Sequence, residues 1–256
     1  MNARDDGFDW NQVKIWNADG EDVPLTPDKL LGYGLPGYEV VLHNDIKEVA
    51  TLTGNLERAL THWISGAEFI FCCFAWLTNY RVLDAMASLK HGCQIVVQKE
   101  DFLRPDSNHT SRSNRMLQKK YERLACSFSR YQLPSIASGL SMCSDDFVDA
   151  VRCAGVANSE RRRASPRMHH KFAVACNCTV KPDELHGSVV QFHPFSVWTG
   201  SFNPTSNGTK SRENAVVIES ESVADAYINE WAKVFAVSEP LDWESKWSAP
   251  EWRIGT

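Results

Sequence analysis

The sequence predicts an α/β fold, a mixed β-sheet flanked by helices on both faces. Three observations lead there. In the first half of the chain, apolar runs of strand length alternate with amphipathic segments of helical spacing. The run Phe69 to Trp76 is apolar nearly throughout, as a strand covered on both faces must be. The second half adds three more strand-like runs before a closing amphipathic stretch.

The elements follow in order. Residues 1–38 are rich in Asp, Asn, Gly and Pro and read as an irregular lead-in with room for a short hairpin. It ends in Gly32-Tyr33-Gly34-Leu35-Pro36-Gly37, a string that matches a dinucleotide-binding pattern. That fingerprint must follow a strand and open a helix, whereas here it precedes a strand and Pro36 sits where a helix would begin. A core region, 39–236, comes next. Val40 to Leu42 reads as a strand, and Val49 to Ile64 as a helix with Leu52, Leu56, Leu60 and Trp63 on one face. Phe69 to Trp76 is a strand, Tyr80 to Leu89 a helix stopped by Gly92, and Gln94 to Gln98 a strand. Residues 104–113 form a polar loop, Ser113 to Ala125 a charged helix and Phe147 to Cys153 a short one. Residues 156–167 read as a basic loop, 171–176, 196–200 and 215–219 as strands, and Ser222 to Phe235 as the last helix. The tail, 237–256, carries Trp243, Trp247 and Trp252 and reads as an extended strap.

Composition narrows the function classes. Hydrophobic residues make up 43% of 256, enough for a full core without covalent staples. The net charge of -5 means that binding to a polyanion must rest on a local patch. Eight cysteines show no disulfide framework, and several sit in apolar runs where they act as small hydrophobes. The acidic start, Met1 to Asp6, is unlike a secretory signal, and the run Ala67 to Leu77 is too short to cross a bilayer. No membrane span and a cytoplasmic location are expected.

The chemistry concentrates in two places. In Met168-His169-His170-Lys171-Phe172, a period of two puts His169 and Lys171 on one face and His170 on the other. An imidazole beside an ammonium makes an anion site with a nucleophile in it. Later, Trp198-Thr199-Gly200-Ser201-Phe202-Asn203 reads as an apolar strand ending in a small polar turn. Ser201 and Asn203 can donate to phosphoryl oxygens, and Glu213 can hold an imidazole N–H. Cys176-Asn177-Cys178 has no C-x2-C partner, so no metal and no cofactor is expected.

These elements resemble the phospholipase D superfamily, whose pattern is H-x-K-x4-D, then G-S-x-N, then a Glu before the next strand. The match covers His169-x-Lys171, Gly200-Ser201-x-Asn203 and Glu213. The resemblance implies a phospholipase D-like fold over residues 39–236. It implies His169 as the nucleophile that forms a phosphohistidine and Lys171 and Asn203 as stabilisers of phosphoryl charge. Ser201 would support the site and Glu213 would orient His169. Two departures stand out. The motif Asp is Cys176, and the stretch from there to Gly200 is longer than usual, with Lys181-Pro182-Asp183-Glu184 suggesting a loop insertion. The chain has one H-x-K where many members have two, which implies a homodimer that pairs two copies of His169.

Arg161, Arg162, Arg163 and Arg167 lie just before His169, and Lys210 and Arg212 flank the Asn203 turn. Such a patch suits a nucleic-acid backbone, DNA or RNA, and makes these six residues candidates for substrate binding. The expected activity is a metal-independent endonuclease. The alternatives are a lipid phosphodiesterase or phosphatidyltransferase, or a catalytically silent nucleic-acid-binding scaffold.

Overall fold

A computed structural model describes residues 14–16, 22–24, 42–104, 111–141, 147–157, 167–184, 187–243 and 253–254. The Gly32–Gly37 string and Arg161–Arg163 lie outside them, as does most of the tail beyond Trp243.

Strands β1 (Lys14–Trp16) and β2 (Asp22–Pro24) pair antiparallel. Strand β3 (Glu48–Thr53) leads into helix α1 (Leu56–Ile64). Strand β4 (Phe69–Phe74), helix α2 (Tyr80–Ala87), strand β5 (Cys93–Gln98) and helix α3 (Arg112–Tyr121) follow. After β6 (Leu140–Ser141) come β7 (Val151–Ala154), β8 (Lys171–Asp183), β9 (Gly187–Gly200) and β10 (Asn214–Glu219). Helix α4 (Glu221–Ala236) and the short β11 (Arg253–Ile254), which pairs with β6, complete the described chain.

Seven strands form one sheet in the order β3-β10-β9-β8-β4-β5-β7. The pairs β4-β5 and β5-β7 are parallel and the others antiparallel, so the sheet is mixed as expected. All six residues of β4 are buried. Ile70, Cys72 and Phe74 join the core beneath α1, α2 and α3, while Phe69, Phe71 and Cys73 join the core beneath α4. The helices therefore lie on both faces, and the uninterrupted apolar run of β4 reflects that double coverage. Each helix starts on a polar cap that its sequence supplies. The Asn55, Asn79, Ser111 and Ser220 side chains accept from the first-turn N–H groups of α1, α2, α3 and α4.

Several expectations are corrected. The expected strand at Val40 to Leu42 is not a strand at Leu42, and its first two residues lie outside the described set. The edge strand is β3, which takes up the first part of the expected 49–64 helix. Gly54, at φ +96, and the Asn55 cap break that helix before it can begin. Gly92 does not stop α2, which closes at Ala87 with Ser88 as its cap, but precedes β5 and bridges to Cys126. The expected 147–153 helix is β7 at its end, a strand buried at every position and parallel to β5. The expected loop insertion at Lys181–Glu184 is the far end of a long hairpin. Strand β8 pairs with β4 only as far as Cys176 but with β9 as far as Asp183, so the hairpin runs past the sheet as a two-stranded arm.

The start of the tail closes the β7 edge. Glu239 and Cys153 exchange backbone bonds of 2.8 and 2.9 Å, and the buried Lys99 ammonium pairs with the Glu239 carboxylate. Among the described residues, no helix is long and apolar enough to cross a membrane.

Candidate active site

The sheet topology gathers the motif elements at one end. Because β4 and β8 are antiparallel, Phe74 at the end of β4 lies opposite Lys171 at the start of β8. Phe172 lies opposite Thr199, which brings Gly200 to the level of Lys171. Gly200 in turn faces Ala215 at the start of β10, just past Glu213. Strands β5 and β7 finish at the same end, the carboxyl end of the parallel strands, where open α/β sheets leave a crevice for ligands.

Lys171 Nζ lies 3.0 Å from His169 Nδ1 and 3.3 Å from Nε2, and it donates to the His169 carbonyl at 2.7 Å. A ring nitrogen can accept from the Lys171 ammonium only through a lone pair, which the neutral imidazole carries. Partial burial lowers the His169 pKa, and the cations Lys171, Arg167 and His170 lower it further. Burial also pulls the Lys171 ammonium down, opposed by the negative charge of Glu213. Trp76 meets the His169 ring edge-on with centroids 5.6 Å apart, and its indole N–H donates to Glu100 at 3.0 Å. His170 points the other way, with Nε2 3.0 Å from Glu230 of α4.

The second element is knitted to β10. The Ser201 hydroxyl donates to the Glu213 carboxylate, its N–H donates to the Asn214 carbonyl at 3.1 Å, and the Asn214 N–H donates to Ser201 Oγ at 3.1 Å. Among the described residues, Glu213 accepts from Ser201 and not from His169. Asn203 Oδ1 is buried without a hydrogen-bond partner among the described residues. The Asn203 carbonyl accepts from Thr205 N–H at 2.7 Å, which closes the turn.

Of the candidate substrate-binding residues, Arg167 is half-buried beside His169, and Lys210 and Arg212 are exposed in the loop between β9 and β10. Arg161, Arg162 and Arg163 lie outside the described residues, whose flanks, Ala157 and Arg167, bracket them. Cys176 is fully buried in the apolar core next to α4. It lies five residues along β8 from Lys171, roughly 16 Å away at strand rise, so its thiol is remote from the site.

Two supporting residues carried no sequence signal strong enough to find. Trp76 ends an apolar run and reads as core. Gln98 is buried, accepts from Met168 N–H at 2.8 Å and donates to the Val156 carbonyl at 3.0 Å, which pins the chain just before His169. A glutamine at the end of a buried strand, Gln98, is the only hint in the sequence. A cavity of about 1040 Å³ lies elsewhere, along the arm, lined by Gln132, Ser188, Phe192 and Asn229 among others.

No family model matches the sequence. An uncharacterized protein of Acanthamoeba polyphaga mimivirus is 31% identical over 204 residues, which is 75% of this chain and 66% of that protein. The chain thus spans just under two thirds of that relative's length. Among solved structures, the chain is similar to Nuc from Salmonella typhimurium, a phospholipase D family member, at 17% identity and TM-score 0.43 over 75% of this chain and 97% of that one. NucT from Helicobacter pylori is similar at 14% identity and TM-score 0.44 over 75% and 98%. A phosphatidylserine synthase from Haemophilus influenzae is similar at 13% and 0.40 over 84% and 45%.

Proposed function

We propose that this chain is a phospholipase D-type phosphodiesterase and, more narrowly, a metal-independent endonuclease that cuts DNA or RNA in a homodimeric site. The observation that carries the reading is the His169–Lys171 pair, Nζ 3.0 Å from Nδ1, at the sheet end that also holds Ser201, Asn203 and Glu213.

A neutral imidazole of His169 attacks phosphorus, a P–N bond forms and the P–O bond to the leaving strand breaks. The leaving oxygen takes its proton from the imidazolium of His169 on the second protomer. Water then attacks the phosphohistidine, its proton passes to that second imidazole and the P–N bond breaks, which restores both rings. Lys171 and the Asn203 amide N–H group stabilise the charge that builds on the phosphoryl oxygens. Glu213 and Ser201 hold the wall on which Asn203 sits. In this scheme an imidazole and an ammonium supply the nucleophile and the charge that a bound metal supplies elsewhere. Arg161, Arg162, Arg163, Arg167, Lys210 and Arg212 bind backbone phosphates, so affinity falls steeply with salt.

The test is direct. Wild type and His169→Ala are incubated with plasmid, single-stranded DNA and RNA in EDTA. Cleavage by wild type alone is expected. Equal behaviour of the two proteins overturns the nuclease reading, and headgroup release from liposomes without any cut nucleic acid moves the activity to lipid.

A further inference from the structure

A second recess opens beside the candidate site, about 540 Å³ in volume. Its walls come from the start of α2, the turn holding Phe102, the start of α3 and the loop that follows Asn203. It is tied to the catalytic wall through the backbone. The Thr78 and Asn79 N–H groups both donate to the Pro204 carbonyl, at 2.8 and 2.9 Å, and Pro204 directly follows Asn203. The same chain segment carries Trp76 against the His169 ring. From Trp76 to Asn79 is three residues, a reach of at most ~11 Å. The recess is therefore a neighbour of the reacting phosphate.

Its lining combines two aromatic rings with polar side chains, and the Lys120 ammonium lies 5.7 Å from the Tyr80 ring centroid. Tyr80 is 37% exposed, and its hydroxyl donates to the Ser113 carbonyl at 3.1 Å, which holds the ring in place. Phe102, half-buried, and Asn114 also line the recess. The Glu57 carboxylate there is already engaged, by Asn79 Nδ2 at 2.5 Å and Arg81 at 3.3 Å, so it does not stand as a bare charge against an anion. The Arg81 side chain is otherwise 81% exposed beside the opening, where it can meet a phosphate. A volume of this size holds one nucleoside.

We infer that the recess lined by Tyr80 and Phe102 takes an unpaired nucleobase next to the scissile phosphodiester, so that the substrate is single-stranded nucleic acid. The inference rests on the nuclease reading of the neighbouring site. A base stacked within a duplex cannot enter the recess without unstacking and leaving its partner, which is unfavourable. A single strand carries no such cost, and aromatic stacking tolerates any base.

The experiment walks a single abasic position along a single-stranded oligonucleotide and measures KM for the wild-type protein, with an equivalent duplex alongside. Single strand is expected to be cut in preference to duplex. One abasic position adjoining the cut is expected to raise KM about tenfold, the scale of one lost stacking contact. In Tyr80→Ala that abasic penalty should disappear, because the two changes remove the same contact. Phe102→Ala gives the same readout if Tyr80→Ala does not fold. An abasic penalty at no position, or one that persists unchanged in both variants, overturns the recess as a base site while leaving the nuclease reading intact. Equal cutting of duplex overturns the single-strand assignment. Failure of the wild type to cut any nucleic acid overturns the nuclease reading itself, and this inference falls with it.

Discussion

A histidine that attacks phosphorus has to be unprotonated, and the surroundings of His169 favour that form. Partial burial comes first, and Lys171, Arg167 and His170 add positive charge around the ring. Both effects disfavour the imidazolium, so the pKa sits below the usual value near 6.5. For the attacking ring, loss to protonation sets in only as pH falls through the lowered value, while the donor ring of the second protomer must keep its proton and so sets a separate alkaline limb. In a profile of kcat/KM against pH, the acid limb should lie below 6.5. Arg167→Gln removes one cation, so its limb should move upward; a limb that stays put or moves down argues against electrostatic control by Arg167. How much of this was legible in sequence varies by residue. The alternation that separates His169 and Lys171 from His170 was readable, because strand period is a local property. The partners were not. Trp76, Glu230 and the hydrogen bond from Ser201 to Glu213 come from other strands and helices, and only the tertiary fold brings them into reach. Cys176 also looks different in place. Its position matches the motif, yet its fully buried thiol sits among apolar side chains, where an aspartate would need a partner of its own.

At the scale of elements, the turn from β9 into the Ser201 loop depends on Gly200. Its φ is +152, and a Cβ there would lie 2.5 Å from the Asn214 carbonyl oxygen and 2.8 Å from Ala215 Cα. Both atoms are backbone of β10 and cannot step aside singly. Gly200→Ala should therefore push β9 and β10 apart, cost about 1–3 kcal/mol in stability and displace Ser201 and Asn203. Urea denaturation reads the stability, and kcat on a small phosphodiester reads the displacement. An unchanged midpoint would show that β10 yields more easily than its pairing suggests. The same scale explains the misread elements. Leu52, Leu56 and Leu60 keep a helical spacing across the break at Gly54, so periodicity alone joined a strand to a helix. Strand β7 is buried at all four positions, Arg152 and Cys153 included, so it shows no alternation to mark it as a strand. The strands that were read well, β4, β5 and β10, are short apolar runs with clear breakers on each side. The arm of β8 and β9 escapes a sequence reading because beyond Cys176 the two strands pair only with each other, so that half-exposed residues such as Val180 and Val189 alternate with polar ones and Lys181-Pro182-Asp183-Glu184 resembles a loop.

At the scale of the molecule, the chain has one His-x-Lys pair, whereas the proposed reaction needs both an attacking group and a proton donor. Within a protomer, His170 does not provide the second group, since its ring turns away to Glu230 on α4. In the proposed scheme the donor is His169 of a second copy, which a two-fold axis through the site end of the sheet would place opposite the first. This makes a quantitative claim about mixtures. When wild type and His169→Ala are co-expressed in equal amounts and pair at random, about one quarter of the dimers carry two intact histidines. If both are needed, activity per total protein falls to about one quarter of the wild-type value, and it follows the square of the wild-type fraction as the ratio is varied. If each protomer works alone, activity falls to about one half and follows that fraction linearly. Sedimentation across a concentration series supplies the companion measurement, because the specific activity of the wild type should drop on dilution below the dimer dissociation constant. A linear mixing curve, with a specific activity that does not change on dilution, would place the whole reaction within one protomer and remove the need for a partner.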